Sequence, residues 1–462
     1  MAPFLSIVLV CCALLSLLPG SHGFLFNSTS KKGLVIDTFK NSVQNDLGAW
    51  HGPGEKLYVR YGNWARRFVR LFPSNPDHNY HTQLSASCLN LTDYSKMYLH
   101  VAASGSHHFS ISLYQNVNCD VRKPSVPLTA DSIDATRYAT GTHIYVPLSH
   151  FSIDLSKAHS IAFHGFYSPR EVVLHKVEII PSVPRHVRIP RKQKTGTLVF
   201  RCKRPNSFAF GVDDGDPELA REVMKIFEDE GIQVTFFVVG KGLEDKYANF
   251  TAFYKEMLQR GHQVALHSYS HPKMEGLDIA SIDREILQGY RAVRDQLGVK
   301  SRYFRPPYGT IGARTRQRLA WYLKDPYIVN WSVDIEDWLW ANTDEPEKQL
   351  EAFKRDVDRG GDLVVMHYLT PSTVQYFRDV IKIARNTGKR IMRVDQCLMD
   401  PDAPPLKASK SEKGQYMKDE EEGGRDEGGE EVEEIEESER DEEDEDEDES
   451  SEDDEESDEE ED

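Results

Sequence analysis

Short apolar runs alternate with longer amphipathic segments from Thr197 to about Asp400. A short apolar run bounded by polar residues predicts a buried strand, and apolar positions that recur every three or four residues predict a helix. The predicted strands are Phe208–Val212, Val234–Val239, Gln263–His267, Tyr303–Phe304, Tyr327–Val333, Leu363–His367 and Arg390–Val394. The predicted helices include Glu218–Glu230, Ala280–Leu297, Ala313–Leu323 and Lys348–Arg359. This alternation favours a closed or nearly closed (β/α) barrel around a parallel sheet, with a doubly wound open sheet as the alternative.

Residues 24–185 follow another pattern, in which short alternating runs are separated by clusters of Gly, Asn, Pro and Ser. Alternation with a period of two is typical of half-buried strands. The clearest runs are Lys56–Tyr61, Met97–Val101, His108–Leu113, His143–Pro147 and Glu171–Glu178. The predicted fold is therefore multidomain, with an N-terminal all-β sandwich followed by a (β/α) barrel domain at residues 201–400.

Three further segments flank or connect these domains. Residues 1–23 have the apolar core and small-residue break of a secretory signal peptide, with an uncleaved membrane anchor as the alternative. Residues 186–200 form a basic linker, for which a solvated connector is the default expectation. Residues 408–462 form an acidic tail, and residues 411–462 alone contain 33 acidic and 4 basic side chains. So little apolar content predicts disorder, and the charge could contact cations or basic surfaces.

The predicted secretory route gives meaning to the cysteines. Cys88, Cys119, Cys202 and Cys397 remain after signal removal and allow three pairings. We favour Cys88–Cys119, and also Cys202–Cys397 because the latter two lie at the ends of the strand–helix block. Sequons at Asn27, Asn90, Asn249 and Asn330 agree with secretion, although Asn330 lies in an apolar strand pattern and is not expected to carry a glycan. We expect a secreted protein, extracellular or in a cell wall, with no integral membrane segment after signal removal.

Reactive side chains follow five of the predicted barrel strands. Asp213 and Asp214 follow the first, His267 and His271 the third, Arg305 and Tyr308 the fourth, Asp337 and Trp338 the fifth, and His367 the sixth. Because the carboxyl ends of the strands of a parallel barrel meet at one rim, we expect these side chains to lie close together.

The chemistry of this set points to a metal. Two imidazoles and a carboxylate suit a zinc-like divalent ion that keeps open positions for water and substrate, and the other aspartate could act as a base on that water. Taken alone, a His-x-x-x-His pair is usually a surface feature. Likewise, Asp216 and Pro217 alone indicate a turn and a helix start with Asp216 as N-cap. Because five such clusters follow five predicted strands, we favour the metal site over these simpler interpretations.

These clusters, in this order, resemble the polysaccharide deacetylase (NodB-homology) family over roughly Ser207 to Asp400. The segment Trp331–Trp340 is most similar to fungal chitin deacetylase-like proteins. The resemblance implies a distorted (β/α) barrel and metal-dependent removal of acetyl groups from N-acetylated sugars. More weakly, the sandwich resembles the jelly-roll accessory domains of some secreted fungal carbohydrate enzymes, which leaves a carbohydrate-binding role open.

The resemblance also implies a role for each residue of the set. Asp214, His267 and His271 match the ligands of one divalent metal, zinc in our expectation, with cobalt or manganese as alternatives. The matched catalytic roles are Asp213 as base, Arg305 as the cation that holds it, the Tyr308 amide as oxyanion donor, His367 as acid and Asp337 as its partner. Trp338 matches the wall of the acetyl pocket, so Trp338 and Tyr308 are the expected substrate contacts.

The chain departs from the family pattern at two motifs. The first usually reads Thr-Phe-Asp-Asp-Gly-Pro, whereas this chain has Val212 before the aspartates and Asp216 in place of the proline. The last usually places an aspartate after the histidine, whereas this chain has Tyr368. These changes bear on substrate and rate more than on reaction type.

Two classes of function remain open at this point. The first is an amide hydrolase that deacetylates chitin or a related N-acetylhexosamine polymer, with an O-acetylated polymer such as acetyl xylan as the rival substrate. The second is a catalytically silent cell-wall carbohydrate-binding protein. The intact set of reactive residues favours the enzyme. The expected partner is chitin or another acetylated cell-wall polysaccharide, and the acidic tail and secretion argue against nucleic acid.

Overall fold

The computed structural model describes residues 32–63, 65–120 and 127–406. The predicted signal peptide, the sequon at Asn27 and the acidic tail lie outside the described residues. Among the helices that the structure describes, none is both long enough and apolar enough to cross a membrane.

Two antiparallel sheets make up the N-terminal region. The strands are β1 Leu34–Asp37, β2 His51–Gly54, β3 Tyr58–Tyr61, β4 Val69–Phe72, β5 Asn79–Gln83, β6 Tyr98–Gly105, β7 Ser110–Asn116, β8 Pro127–Asp134, β9 Ala139–Thr140, β10 His143–Pro147, β11 Ala158–His164 and β12 Val172–Ile180, with the short helix α1 Ala135–Tyr138 after β8. One sheet has the order β3-β4-β12-β6-β10-β9, with β1 also paired to β12, and the other has the order β2-β5-β11-β7-β8. Side chains from both sheets share one apolar core.

A parallel sheet organises the C-terminal region. Its strands are β13 Thr197–Val199, β14 Ser207–Gly215, β15 Thr235–Val238, β16 Gln263–Leu266, β17 Tyr303–Phe304, β18 Tyr327–Val329, β19 Val333–Asp334, β20 Leu363–Tyr368 and β21 Arg390–Met392. The helices are α2 Ala220–Asp229, α3 Gly240–Glu244, α4 Phe250–Gln259, α5 Ile279–Leu297, α6 Ala313–Tyr322, α7 Asp337–Trp340, α8 Lys348–Asp358, α9 Pro371–Val374, α10 Phe377–Asn386 and α11 Val394–Cys397. Single 3₁₀ turns lie at Thr92–Tyr94, Leu148–His150, Leu155–Lys157, Met274–Gly276 and Pro307–Gly309.

The strand order identifies the sheet as a distorted barrel. It runs β13-β18-β17-β16-β15-β14-β20-β19, and β21 pairs with the first half of β14. From β14 to β18 each strand pairs with its successor in the chain, as in a barrel, whereas a doubly wound sheet reverses direction after its first strand. Among the described residues no ladder joins β13 to β19, so hydrogen bonding leaves the barrel open at that point.

One predicted strand, Tyr327–Val333, is wrong as a single element. The structure divides it into β18, which pairs with β13 and β17, and β19, which pairs with β20. The backbone between them crosses the open side of the barrel, and its amides bond elsewhere, as Ser332 N does with Leu363 O at 2.9 Å. Apolar periodicity alone does not reveal such a gap, because both halves are buried.

The predicted linker, residues 186–200, is not a solvated connector at its C-terminal end. Thr195 is buried and donates to Asp131 of the sandwich at 2.8 Å, and Lys192 donates to the same carboxylate at 2.6 Å. The residues that follow form β13 in the barrel sheet. The linker therefore packs between the two domains.

Both predicted disulfides are confirmed, and the second bridges the two ends of the barrel domain. Cys88 is bonded to Cys119, and Cys202 to Cys397. Cys202 lies just before β14, and Cys397 ends α11. The cross-link reduces the conformational entropy of the unfolded chain over the whole barrel domain.

Replacing Gly215 by alanine should destabilise the fold. A Cβ at this position would lie 1.8 Å from the Tyr368 ring, which is itself buried in the core. We expect the free energy of unfolding to fall by about 1–3 kcal/mol, the usual cost of overpacking. Chemical denaturation measures this, with Gly242→Ala as the control, since a Cβ there comes no closer than 3.4 Å to Phe250. Equal stability of the two variants would contradict the packing argument.

Candidate metal centre and active site

Strand β14 delivers two aspartates to the rim of the barrel. Asp213 is 2% exposed, and its neighbour Asp214 has φ of 28° and is partly exposed. The register of β14 against β20 shifts between Asp213 and Gly215, which marks a bulge. A bulge adds a residue at the strand end and changes the direction of its side chain.

The two histidines of the motif come from the end of β16 and the loop after it. His267 Nδ1 lies 2.8 Å from Arg305 O, so this nitrogen carries the proton and Nε2 is left with its lone pair. His271 has φ of 61°, and its amide donates to Ser268 Oγ at 3.0 Å. The two rings meet edge to face with their centroids 4.9 Å apart.

Asp214, His267 and His271 converge on one point and fit a metal ion. One ligand atom from each lies within 4.8 Å of the others, and His271 Nε2 is 3.3 Å from Asp214 Oδ2. Burial lowers the pKa of His271, although the charge of Asp214 acts in the opposite direction. The lowered pKa favours the neutral imidazole, which is the form that binds a metal. Two imidazoles and one carboxylate leave positions for water and substrate on zinc and similar ions, so the donor set fits a divalent cation.

Arg305 lies behind Asp213 and is fully buried. Its Nη1 donates to Asp213 Oδ1 at 2.6 Å, while Nε and Nη2 donate to the carbonyls of Val329 and Val364 at 3.1 and 3.0 Å. The guanidinium carbon lies 4.1 Å from the centre of the Phe237 ring. Burial lowers the pKa of Arg305, and the Asp213 charge opposes that change. The pair therefore holds Asp213 Oδ1 and leaves Oδ2, which is 3.7 Å from His267 Nε2, on the metal side.

The turn Pro307–Gly309 presents Tyr308 at the mouth of the site. Tyr308 has φ of 60° and ψ of 11°, a left-handed conformation that is costly for a residue with a side chain. Its exposed ring lies 4.7 Å from the His271 ring, centre to centre. Gly309 follows at φ of 69° beneath Trp331, whose ring leaves no room for a Cβ.

Asp337 and His367 form a hydrogen-bonded pair next to Asp213, because His367 lies beside Asp213 in the ladder between β14 and β20. Asp337 Oδ1 accepts from His367 Nδ1 at 2.8 Å, and Oδ2 accepts from the His367 amide at 2.7 Å. Burial disfavours the imidazolium, but the charge of Asp337, with smaller contributions from Asp213 and Asp214, outweighs it and raises the pKa of His367 to about 9. The adjacent Trp338 is 71% exposed, so its indole is available to a ligand.

The reactive side chains described above share a single cavity of about 850 Å³. It is lined by all of the predicted site residues except Arg305, which lies behind Asp213: Asp213, Asp214, His267, His271, Tyr308, Asp337, Trp338 and His367. These residues therefore lie together at one rim of the barrel, as their positions at the strand ends predict.

The cavity also has walls that sequence reasoning missed. Residues of the sandwich line one side of it, namely Glu55, Pro76, Asp77, Asn79, His81, Tyr114 and His164. No motif marks them, because their place in the site depends on how the sandwich docks against the barrel. Asp334 also lines the cavity, and burial raises its pKa to about 6.

The two departures from the family pattern lie away from the reactive atoms. Asp216 accepts the Glu218 amide at 2.9 Å within a turn, and helix α2 begins only at Ala220, so Asp216 is not its N-cap. Tyr368 is fully buried, and its hydroxyl lies 2.9 Å from that of Tyr254. Its ring covers Gly215. Tyr368 is therefore a core residue rather than a ligand-binding one.

Comparison with known proteins agrees with this geometry. Residues 201–322 match the polysaccharide deacetylase family. A peptidoglycan-N-acetylglucosamine deacetylase of Listeria monocytogenes is 26% identical over 238 residues, which cover 50% of this chain and 47% of that protein. A chitin deacetylase of Pestalotiopsis sp is 28% identical over 209 residues, which cover 45% of this chain and 69% of that protein.

Among solved structures, the chitin deacetylase of Colletotrichum lindemuthianum aligns with a TM-score of 0.42 and 24% identity, covering 46% of this chain and 97% of the other. The chain spans about half the length of the Listeria relative that it matches. These matches concern only part of this chain.

The convergence of three ligands predicts one divalent metal site. Replacing His271 by alanine should weaken zinc binding by more than about 100-fold, since even the loss of a group that only orients a ligand costs 10- to 100-fold. Isothermal titration calorimetry of the metal-depleted protein measures the stoichiometry and affinity. His175→Ala is the control, since this exposed histidine bonds to Ser104 on the sandwich. Equal affinities of the two variants would remove His271 from the ligand set.

Proposed function

We propose that this chain hydrolyses the N-acetyl groups of chitin or a related N-acetylhexosamine polymer, and the match of residues 201–322 to the polysaccharide deacetylase family supports this proposal. The products are acetate and a free amino sugar. One observation carries the proposal. A metal-ligand triad, an arginine-held carboxylate and an aspartate-held histidine face a single cavity.

Asp214, His267 and His271 would hold the metal. A divalent cation there supplies polarisation of the acetyl carbonyl and a lower pKa for a nearby water. Zinc is the first candidate for this donor set, with cobalt or manganese as alternatives. Asp213 takes the proton of the attacking water through Oδ2, because Oδ1 is held by Arg305.

The developing negative charge requires a donor at the carbonyl oxygen. We assign this role to the backbone N–H of Tyr308, which the left-handed turn presents at the mouth of the cavity. Preorganisation of this turn matters, because a donor that must reorient during the reaction stabilises the oxyanion less. Trp338, with its exposed indole, contributes the wall against which the acetylated sugar packs.

His367 acts as the general acid. Asp337 occupies Nδ1, so Nε2 delivers the proton to the departing nitrogen. A pKa of about 9 keeps this imidazole protonated at neutral pH. An amine leaves poorly without such a proton, so an acid held in this way favours an N-acetyl over an O-acetyl substrate.

A secretory route is part of the proposal. It is supported by the apolar N-terminal segment of the sequence and by the two disulfides, which are typical of oxidising compartments. The substrate would then be met outside the cell or in a cell wall.

Acetate release from chitin oligomers tests the reaction. We expect release that is lost with a chelator, restored by zinc or cobalt, and reduced by about 10²- to 10⁴-fold in Asp213→Asn, the usual contribution of a general base. Asp216→Asn is the matched control, because this nearby carboxylate bonds to its own turn and should not affect turnover. Release from acetyl xylan but not from chitin would move the assignment to an O-acetylated polymer. Binding without release from either polymer would favour a silent carbohydrate-binding protein.

The pH profile tests the acid. Because the protonated form of His367 is the active one, kcat should be maintained below its pKa and fall as the pH rises through about 9. Asp337→Asn removes the carboxylate that raises this pKa, so the alkaline limb should move to lower pH by about 1–3 units. The exposed Glu345→Gln should leave the limb in place. An unmoved limb in Asp337→Asn would exclude His367 as the titrating acid.

A further inference from the structure

The sandwich contacts the barrel next to the turn that carries Tyr308. Asp77, in the loop before β5, bonds through Oδ2 to Lys273 and through Oδ1 to the hydroxyl of Thr310. Asn75 Oδ1 accepts from the same lysine at 3.5 Å. A Cβ added at Gly276 would lie 3.5 Å from the Pro76 ring, so the two residues are neighbours. One sandwich loop therefore contacts both the segment after His271 and the segment after Tyr308.

Tyr308 has a strained conformation that its surroundings must maintain. A left-handed conformation is strained for a residue with a side chain and persists only where surrounding contacts maintain it. On one side, Asn330 Nδ2 donates to Gly309 O at 3.0 Å. On the other, Thr310 is held by Asp77, and the Lys273 ammonium lies 5.1 Å from the centre of the Tyr308 ring. Both anchors act within two residues of the Tyr308 amide.

We propose that Asp77 is a positioning residue for the oxyanion donor, so that the sandwich helps to set the geometry of the active site. The inference rests on the deacetylase function proposed above. The position of Asp77 in the sandwich is fixed by a turn, in which Asn75 Oδ1 accepts a hydrogen bond from the Asp77 amide at 3.1 Å. By fixing Thr310 and Lys273, it keeps the N–H of Tyr308 directed at the position of the developing charge.

A residue that positions the oxyanion donor should affect kcat and not substrate or metal binding. The oxyanion exists only in the transition state, so loss of its donor lowers kcat and leaves KM and metal affinity unchanged. A displacement of about 1 Å at a catalytic group can cost about 100-fold. Asp77→Asn keeps the side-chain shape and loses the charge that binds Lys273. We expect kcat to fall by about 10- to 100-fold.

The experiment is a double-mutant cycle on the full chain, with chitin oligomers as substrate. Asp77→Asn, Thr310→Val and the double variant are compared for kcat, KM and zinc affinity. If Asp77 acts through Thr310, the double variant is no slower than the slower single variant. The matched control is Asp283→Asn, which breaks a similarly exposed carboxylate–guanidinium pair with Arg318 outside the cavity.

The outcomes separate this inference from the proposed function. An active wild type with an unchanged kcat in Asp77→Asn overturns the inference alone. An equal loss of kcat in Asp283→Asn would also overturn the inference. The same holds if the loss of kcat in the double variant is the product of the losses in the two single variants. A wild type that releases no acetate with any metal removes the proposed function, and the inference with it.

A different observation concerns the inner end of the cavity, where several polar groups of the sandwich and barrel lack partners. Asn330 Oδ1 is buried without a hydrogen bond. Among the described residues, neither the ring nitrogens of His81 nor the hydroxyl of Tyr114 has a hydrogen-bond partner, and both residues are half-buried where they border the cavity. All three residues line the cavity, and the rings of His81 and Tyr114 lie 5.8 Å apart. Asn330 Oδ1 is the buried member of this set, and buried polar groups without partners are rare, so a ligand or ordered water in the cavity is expected to pair with it. The polar atoms of His81 and Tyr114 border the same space and can bind the same molecule.

The protonation states show what kind of ligand fits. Burial, with a smaller effect of His159, lowers the pKa of His81 to about 4. Burial likewise raises the pKa of Tyr114 to about 12. At neutral pH both groups are uncharged and can donate and accept hydrogen bonds. They suit hydroxyl and amide groups better than ions.

We propose that this recess, defined by His81, Tyr114 and Asn330, binds an uncharged sugar ring of the polymer beyond the ring that reacts. Aromatic and imidazole faces beside hydroxyl partners match the apolar faces and hydroxyl edges of a pyranose. The sandwich would thereby help to select a polymer over a short sugar.

Calorimetric binding of N-acetylglucosamine oligomers to the silenced Asp213→Asn protein tests the recess. Adding Tyr114→Phe removes a single oxygen and should weaken binding by about 3- to 10-fold, as expected for one hydrogen bond. Tyr58→Phe is the control, since this exposed hydroxyl accepts from Arg60 outside the cavity. Unchanged affinity in Tyr114→Phe would show that water alone pairs with these groups and would overturn the proposal. The measurement needs no turnover, so it is independent of the deacetylase reaction.

Discussion

The buried ion pair between Arg305 and Asp213 is the interaction on which the geometry of the site depends. The guanidinium joins the carboxylate at the end of β14 to backbone carbonyls in β18 and β20. The carbonyl of the same residue orients His267. One residue thus fixes Asp213, His267 and the spacing of three strands. Such a pair is costly to bury, and it is tolerated here because every arm of the guanidinium has a partner.

That pair also explains a constraint on β14. A Cβ at Gly211 would lie 2.4 Å from the guanidinium, so only glycine leaves the space that Arg305 occupies. Four residues further along, Gly215 leaves space for the ring of Tyr368. The first strand is therefore shaped by side chains from β17 and β20. Tyr368, where the family motif has another residue, is accommodated by the missing Cβ of Gly215.

Left-handed residues are concentrated at the rim. Asp214, Ser268, His271, Tyr308 and Glu336 all have positive φ, and each lies in or beside a segment that presents a reactive group. Strain of this kind is maintained by surrounding contacts. Some of these contacts come from the barrel, and others come from the sandwich. The fully buried Arg316 connects the two domains further, because it donates to Ala130 O and Ser132 Oγ of β8 and to Thr195 O and Gly196 O in the linker. The described residues from 32 to 404 accordingly form one compact unit.

The sequence alone determined the alternation of strands and helices in the barrel domain and the clusters of reactive side chains at the strand ends. Those features follow from apolar periodicity and from ligand chemistry placed at strand ends, which are local properties. Tertiary structure decided the rest. The division of Tyr327–Val333 into two strands depends on where the barrel stays open, and Asp77 reaches Thr310 across 233 positions of sequence. Contacts of that range depend on how two domains dock, because docking follows the shape of complete surfaces and leaves no periodic pattern in the chain.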